Sequence, residues 1–250
     1  MAKGFDCSTP LSAAKAQVFA SQGYIFVGRY LADPGSWKRL SPAEAQDITD
    51  AGLYIVSFFE RYANRAGEGA AAGTEDGQLA LQYAGEVQQP EGSTIYAAVD
   101  YDASANDFDA IEAYMRAFNE QINGYELGVY GSYSVVKAMY ERGVTSKLMQ
   151  TYAWSGGKKF DPISIYQYQN DISQNGIEID LDESNGDAGG WKVGGVITPE
   201  PAEPQLAPED ANKVIAYLSA GYMAIEDPAG REEFHRLANE LRKASGQPTA

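Results

Sequence analysis

The sequence predicts an α/β fold: a TIM-like barrel of eight strands with about five helices, followed by a small C-terminal helical hairpin. Short apolar segments alternate with segments of helical periodicity up to about residue 192. Eight such apolar segments within about 185 residues favour a closed barrel over an open sheet. The alternative, an open doubly wound sheet, has less support because no glycine-rich phosphate loop follows the first strand.

Each predicted strand is a short apolar run that is rich in β-branched and aromatic residues. The first three are predicted at residues 4–6, 25–30 and 53–60. The fourth, at residues 94–102, is the run TIYAAVDYD, which ends in two closely spaced carboxylates. The last four are predicted at residues 127–132, 149–154, 163–169 and 177–182.

Five helices are predicted, each between consecutive members of the first six strands, at residues 10–21, 42–51, 75–87, 106–122 and 133–142. Ser8 or Thr9 is the candidate cap of the first helix. The second begins with Ser41-Pro42-Ala43-Glu44, which combines an N-cap, a first-turn proline and a glutamate at the third helical position. The loops between the late strands are short, so the last third of the barrel is predicted to lack helices.

The sequence divides into three predicted regions. Residues 1–192 form the barrel, and residues 193–210, VGGVITPEPAEPQLAPED, form a linker because they are rich in Pro and Glu and poor in large apolar groups. Residues 211–250 carry two segments of helical spacing separated by Asp227-Pro228-Ala229-Gly230. This hairpin is too small to be stable alone, so we expect it to dock on the barrel, pair with a second copy or bind a partner.

The charge and composition exclude several classes of protein. Nineteen Lys and Arg against 35 Asp and Glu give a net charge of -16, which disfavours nucleic acid and anionic membranes as partners. One Cys and one His cannot form a zinc site of the His and Cys type, and no cofactor is expected.

The chain has no apolar run of about 18 residues, and no membrane insertion is expected. Its start, MAKGFDCSTP, lacks the basic and apolar regions of a signal peptide. We therefore expect cytoplasmic synthesis, with later release or export if the protein acts outside the cell.

Carboxylates lie at the ends of several predicted strands. In a parallel barrel the carboxyl ends of the strands form the functional face, so these side chains should converge on one mouth. Strand alternation would place the two acids of each D-x-D pair on the same side. Arg29, at the end of the second strand, is the candidate counter-charge. The acids are Asp6, Glu60, Asp100, Asp102, Asp180 and Asp182.

Clustered carboxyls shift one another's pKa values apart, so one can remain a proton donor while another stays ionised. Cleavage of a glycosidic bond requires this pair of roles. A Ca²⁺ or Mg²⁺ site and a solvated acidic rim are the two alternatives. Tyr30, Tyr130, Trp154 and Tyr168 are candidate platforms for sugar rings.

Five motifs occur in the order and spacing of a known family: GFDCS, YAAVDYD, GVYGSY, YQYQ and IEIDLDES. They resemble the family 25 glycoside hydrolases, which are lysozymes (N-acetylmuramidases) of phages and bacteria. The chain is most similar to a neighbouring group of glycoside hydrolase-like barrels, known as domain of unknown function 1906. The resemblance covers about residues 3–191.

The resemblance implies that Asp6 and Asp180 flank the cleft, and that Asp100 orients an acetamido group or acts as nucleophile. Asp102 occupies the place of the proton-donating glutamate of the lysozymes. Because aspartate is one methylene shorter, either the pocket differs, Glu60 is the acid, or the bond is not cleaved. Gln167, with Tyr166 and Tyr168, corresponds to the wall of the sugar site.

These observations predict a peptidoglycan glycoside hydrolase, acting as a phage endolysin or an autolysin of a bacterium. The substitution at Asp102 motivates the alternative, a barrel that binds cell-wall glycan without cutting it. The C-terminal hairpin is similar to modules of cell-wall hydrolases. It is therefore expected to contact the wall or to self-associate through residues 211–245.

Overall fold

The computed structural model describes residues 1–196, 206–245 and 247, and the chain divides into two compact units. The first unit contains a barrel of eight strands. Its strands are β1 (Ala2–Asp6), β2 (Phe26–Leu31), β3 (Tyr54–Phe59), β4 (Thr94–Ala98), β5 (Glu126–Gly131), β6 (Lys147–Thr151), β7 (Ile165–Gln174) and β8 (Ile177–Ser184).

Pairing between β3 and β4 closes the barrel, which confirms the predicted fold class and excludes the open sheet. β1 to β7 run parallel to their neighbours within that series, whereas β8 is antiparallel to both β7 and β1. The expectation of a fully parallel barrel is therefore wrong for the last strand. The reason is local: only Asn175 and Gly176 separate β7 from β8, and such a short turn can join only antiparallel strands.

Five helices cover the outside of the barrel, as predicted: α1 (Ala13–Ser21), α2 (Pro42–Asp50), α3 (Ala70–Glu86), α4 (Phe108–Asn119) and α5 (Tyr133–Glu141). The stretch from β6 to β8 is described in full and contains no helix. Ser41 caps α2, since its side chain accepts a hydrogen bond from the Glu44 backbone N–H. The cap of α1 is Ser12 rather than Ser8 or Thr9.

Aromatic rings fill the lower part of the barrel because glycines face them from neighbouring strands. A Cβ on Gly4 would lie 2.1 Å from the Phe26 ring, and one on Gly128 would lie 2.4 Å from Tyr96. These glycines permit a close approach that other residues would block. The rings belong to an apolar cluster inside the barrel that contains Phe26, Val56, Phe58, Tyr96, Met149 and Ile165.

A two-stranded ribbon follows the barrel, formed by β9 (Trp191–Lys192) and β10 (Gly195–Val196). β9 pairs with β3 at Ile55, and the Trp191 indole donates to Ser57 Oγ at 2.9 Å. Residues 193–196 of the predicted linker therefore belong to this ribbon and its turn. Residues 197–205 of that linker lie outside the described residues.

The second unit contains α6 (Pro208–Ala224) and α7 (Pro228–Ala244). Asp227 caps α7 by accepting a hydrogen bond from the Gly230 N–H at 2.8 Å. The helices approach closely where Gly221 faces the Phe234 ring. A helical pair is thus confirmed, while wall contact or self-association through residues 211–245 stays a prediction. None of the helices within the described residues is both long and apolar enough to span a membrane.

Candidate active site

The carboxyl ends of the parallel strands surround a cavity of about 200 Å³, called the mouth cavity below. A pocket of this size is smaller than the roughly 300 to 1,000 Å³ of sites that enclose drug-sized ligands, and it suits a single ring. Every strand from β2 to β8 contributes a residue, either within the strand or just after it. The lining residues are Tyr30, Phe58, Glu60, Ala98, Asp100, Tyr130, Ala153, Trp154, Asn170 and Asp180.

The register between β1 and β8 determines where the acids of β8 lie. Asp6 pairs with Asp180, and Gly4 pairs with Asp182. Because β8 is antiparallel, Asp180 lies at the mouth and Asp182 lies one step deeper in the barrel. Asp182 is fully buried, so its predicted position on the rim, in contact with substrate, is wrong. Asp6 is also buried, beneath the floor of the mouth cavity.

Gln167 joins the acids of the floor through its side-chain amide. Its Oε1 accepts hydrogen bonds from Thr151 Oγ1 at 2.6 Å and from Asn170 Nδ2 at 3.1 Å. These donors orient the amide so that its NH₂ group faces the carboxyls. Nε2 donates to Asp6 Oδ2 at 2.7 Å and to Asp180 Oδ2 at 3.2 Å.

An irregularity in β7 supplies further donors to Asp180. The register with β8 shifts on both sides of Gln169, and Asp171 has a φ of 58°. This bulge turns the Asp171 backbone N–H towards Asp180 Oδ1, at 2.8 Å, and brings Asn170 Nδ2 within 3.5 Å of Oδ2. Bulges near functional sites often redirect groups in this way.

Asp100 reaches the mouth cavity from the loop that follows β4. Its backbone N–H donates to the Ala63 carbonyl at 3.2 Å, which fixes this loop against the one after β3. Burial, and then the charge of Glu60, raise the pKa of the Asp100 carboxyl. The charge of Lys38 and a hydrogen bond from Tyr130 oppose this rise.

Asp102 lies outside the mouth cavity and is exposed. The prediction that Asp100 and Asp102 face the same side is wrong because β4 ends at Ala98. Beyond that residue the chain leaves the strand, so strand alternation no longer applies. The position that corresponds to the lysozyme proton donor is therefore not at this site.

Lys38, rather than Arg29, is the cation of the mouth. Its Nζ lies 2.7 Å from Glu60 Oε2 and 4.7 Å from the centre of the Tyr30 ring. Arg29 is fully buried, where it binds Glu44 at 2.7 Å and the Cys7 carbonyl. The prediction that Arg29 contacts substrate is therefore wrong, although its charge lowers the pKa of Asp6.

Burial has the largest effect on the pKa values of Asp6 and Asp180, the acids at the floor of the mouth cavity. It raises the pKa of Asp6 well above the usual value, and the charge of Asp180 adds to the effect. Burial also raises the pKa of Asp180, opposed by the hydrogen bond from the Asp171 backbone. Since like charges lie close together in a poorly solvated place, these carboxyls hold protons more tightly than ordinary aspartates.

Aromatic rings form the wall of the mouth cavity. Tyr30, Phe58 and Tyr130 pack against one another, with ring centres 5.5 Å and 6.0 Å from Phe58. Trp154 is 44% exposed and adds an accessible indole. Tyr168 is also exposed, but it does not line the cavity, so the structure does not bring this predicted platform to the site.

The site contains residues that sequence reasoning did not identify. Phe58 is two residues after Val56 in β3, and strand alternation could have placed both inside the barrel. Asn170 lies in the bulge, which no sequence pattern indicates. Within the described ranges, no group of three His, Cys, Asp or Glu side chains is arranged to hold a metal ion.

A closed barrel with carboxyls and aromatic rings at its mouth is the architecture of a glycoside hydrolase-like domain. Residues 17–185 match the family described as the Rv2525c-like, glycoside hydrolase-like domain, and the chain belongs to this family. The resemblance inferred from the motifs is thereby confirmed.

Among curated proteins, the uncharacterised protein FadG of Bacillus subtilis strain 168 is 30% identical, over 57% of this chain and 27% of FadG. The chain thus spans about a quarter of that relative's length.

Among solved structures, the Tat-secreted protein Rv2525c of Mycobacterium tuberculosis, in complex with L-tartrate, has a TM-score of 0.66 at 24% identity. The match covers 73% of this chain and 95% of that one. The modular autolysin LytC of Streptococcus pneumoniae, in complex with a synthetic peptidoglycan ligand, has a TM-score of 0.54 at 13% identity, covering 72% of this chain and 46% of that one. At these identities the similarities show the fold alone.

Proposed function

We propose that this protein hydrolyses a glycosidic bond of peptidoglycan at the mouth cavity, after release or export to the cell wall. The observation that carries the proposal is that Asp100 and Asp180 reach one aromatic-walled cavity from opposite sides of the barrel. The substrate class is motivated by LytC, whose structure contains a peptidoglycan ligand.

The surroundings of the two acids support different roles for them. Burial raises the pKa of both carboxyls. Asp180, however, accepts hydrogen bonds from Gln167, Asn170 and the Asp171 backbone, and such bonds favour the ionised form. Asp100 lies near Glu60, whose charge adds to the rise in its pKa. Asp100 is therefore the general acid, and Asp180 is the carboxylate that stabilises the developing positive charge or attacks it.

Glu60 is less suited to donate the proton because Lys38 binds its carboxylate directly. Its role in the proposal is electrostatic, since it raises the pKa of Asp100.

The test measures release of reducing sugar and loss of turbidity from purified cell walls. Asp100→Asn and Asp180→Asn should each lower the rate by about 10² to 10⁴-fold, the usual contribution of an acid–base group. Asp102→Asn is the matched control, and it should retain activity because Asp102 is exposed and does not line the cavity. Retained activity in Asp100→Asn would remove that residue from the mechanism.

A second candidate function is binding of wall glycan without cleavage. The exposed position of Asp102 favours it, because the residue that corresponds in sequence to the lysozyme proton donor does not line the mouth cavity. If the wild-type protein sediments with cell walls but releases no reducing sugar, this second function replaces the first. Trp154→Ala should then weaken sedimentation, since the accessible indole is a candidate sugar platform.

A further inference from the structure

Asp182 is a buried carboxyl that receives no hydrogen bond. Its side chain has no exposed surface, and neither Oδ1 nor Oδ2 has a donor partner among the described residues. It points into the barrel from β8, where Gly4 on one side and Gln167 on the other are its register partners. A buried ionised carboxylate without any donor is strongly disfavoured.

The donors that serve the neighbouring acids are already engaged. The amide NH₂ of Gln167 is used by Asp6 and Asp180. The guanidinium of Arg29 is used by Glu44 and the Cys7 carbonyl. The Asp6 carboxyl interacts with Asp182, and this interaction raises the pKa of Asp182. Two carboxyls can bond to each other only if one of them carries a proton.

We propose that Asp182 keeps its proton at neutral pH and donates it to Asp6, and that it thereby acts as a positioning residue for Asp6 and, through Gln167, for Asp180. The proton belongs on Asp182 because Asp6 has other support for a negative charge. Asp6 accepts the hydrogen bond of Gln167 and is stabilised by the charge of Arg29, whereas Asp182 has neither.

Other groups also act on this pair. Burial and the charges of Asp6 and Asp180 raise the pKa of Asp182 well above its usual value. The titratable and charged groups that interact with the pair include Asp180 on β8, Cys7 after β1, Asp100 after β4, Tyr30 and Arg29 on β2, Tyr130 on β5 and Tyr168 on β7. Arg29 supplies the positive charge among them, and it is committed to Glu44.

The first test uses stability and does not depend on any activity. If the pKa of an aspartate is higher in the folded than in the unfolded protein, the protein loses stability as pH rises above the pKa of the unfolded state, which is about 4. Asp182→Asn keeps the shape and a donor but cannot ionise. The melting temperature of Asp182→Asn, relative to the wild type, should therefore increase as pH is raised from 4 to 7.

Asp187→Asn is the matched control, because Lys147 binds Asp187 at 2.6 Å and its pKa is lowered. The melting temperature of Asp187→Asn, relative to the wild type, should therefore decrease as pH is raised from 4 to 7. An Asp182→Asn difference that is constant with pH, or that falls as pH rises, would overturn the proposal.

Infrared spectroscopy provides a direct signature. The wild-type protein at neutral pH should show the carbonyl band of a protonated carboxylic acid. The intensity of that band should fall in Asp182→Asn and should be unchanged in Asp187→Asn. A wild-type spectrum without the band, or a band of undiminished intensity in Asp182→Asn, would contradict the proposal.

The positioning role rests on the proposed hydrolysis and is tested separately. Asp182→Leu removes the donor at similar volume and should lower kcat by about tenfold or more, with less change in KM, because a displaced Asp6 misorients Gln167 and Asp180. Asp182→Asn should recover most of that loss. Equal losses in both variants would contradict the positioning role. If the wild type cleaves nothing, the proposed function fails, while the stability and infrared results still decide the protonation of Asp182.

Discussion

The barrel carries two acidic clusters, at the mouth and in the segment that follows β3, and they differ in their cations. At the floor of the mouth, Asp6 and Asp180 bind a neutral glutamine, Gln167, and Asp182 interacts with both of these acids. In the second cluster, called the rim network, two arginines bind four carboxylates. The rim network consists of Arg61, Arg65, Asp33, Glu68, Glu75 and Asp76.

The acids of the two clusters are held differently. Asp76 is fully buried, and it binds Arg65 at 3.0 Å and accepts a hydrogen bond from the Tyr114 hydroxyl at 2.8 Å. The hydrogen bond of Arg65 lowers the pKa of the exposed Glu75, whereas burial raises the pKa values of Asp6, Asp180 and Asp182. Buried acids with cations hold a loop in place, and buried acids without them are the ones poised for proton chemistry.

The largest effect is expected when the rim network is broken. Asp76→Ala should lower the free energy of unfolding by about 3 to 5 kcal/mol, because it leaves Arg65 and Tyr114 without their buried partner. Chemical denaturation measures this loss. Asp109→Ala is the control, since its ion pair with Arg142 involves a side chain that is 90% exposed, and it should cost no more than about 0.5 kcal/mol. Similar losses in both variants would mean that burial does not distinguish the two pairs.

A smaller change in stability, and a gain rather than a loss, is expected when Asp100 at the mouth is replaced. Because the pKa of Asp100 is raised, its ionisation costs stability as pH rises above about 4, the usual aspartate value. Asp100→Asn should therefore stabilise the protein at pH 7, by at most about 1 kcal/mol since the group is partly solvated. The melting temperature against pH measures this gain, and Asp102→Asn is the exposed control. A loss of stability that grows with pH would show that Asp100 is stabilised as a carboxylate.

The smallest effect is expected on the pH dependence of the rate, when Lys38, which pairs with Glu60 at the mouth, is replaced. The charge of Lys38 lowers the pKa of Asp100, so Lys38→Met should raise it. If Asp100 donates the proton, the alkaline limb of the rate profile should move to higher pH by less than about one unit. Lys137→Met removes an exposed lysine from α5 and should leave the profile in place. A shift to lower pH would rule out Asp100 as the acid.

Much of this site follows from strand ends that are visible in the sequence. The rule that parallel strands present their carboxyl ends at one face correctly brought Glu60, Asp100, Tyr130 and Trp154 to a common cavity. It failed at Asp102, because the strand ends before that residue. It also failed at Arg29, whose partner Glu44 belongs to α2, and sequence periodicity does not reveal which charges pair across elements.

By itself, the sequence determined the eight strands, the five outer helices and the gathering of acids near the strand ends, because periodicity and helix-capping signals act over a few residues. The tertiary structure alone decided the depth of Asp182, the choice of Lys38 as the cation of the mouth and the orientation of Gln167. Each of these depends on contacts between residues far apart in the chain, such as Asp6 with Gln167. The protonation of Asp6, Asp180 and Asp182 depends in turn on which hydrogen-bond donors those contacts leave free.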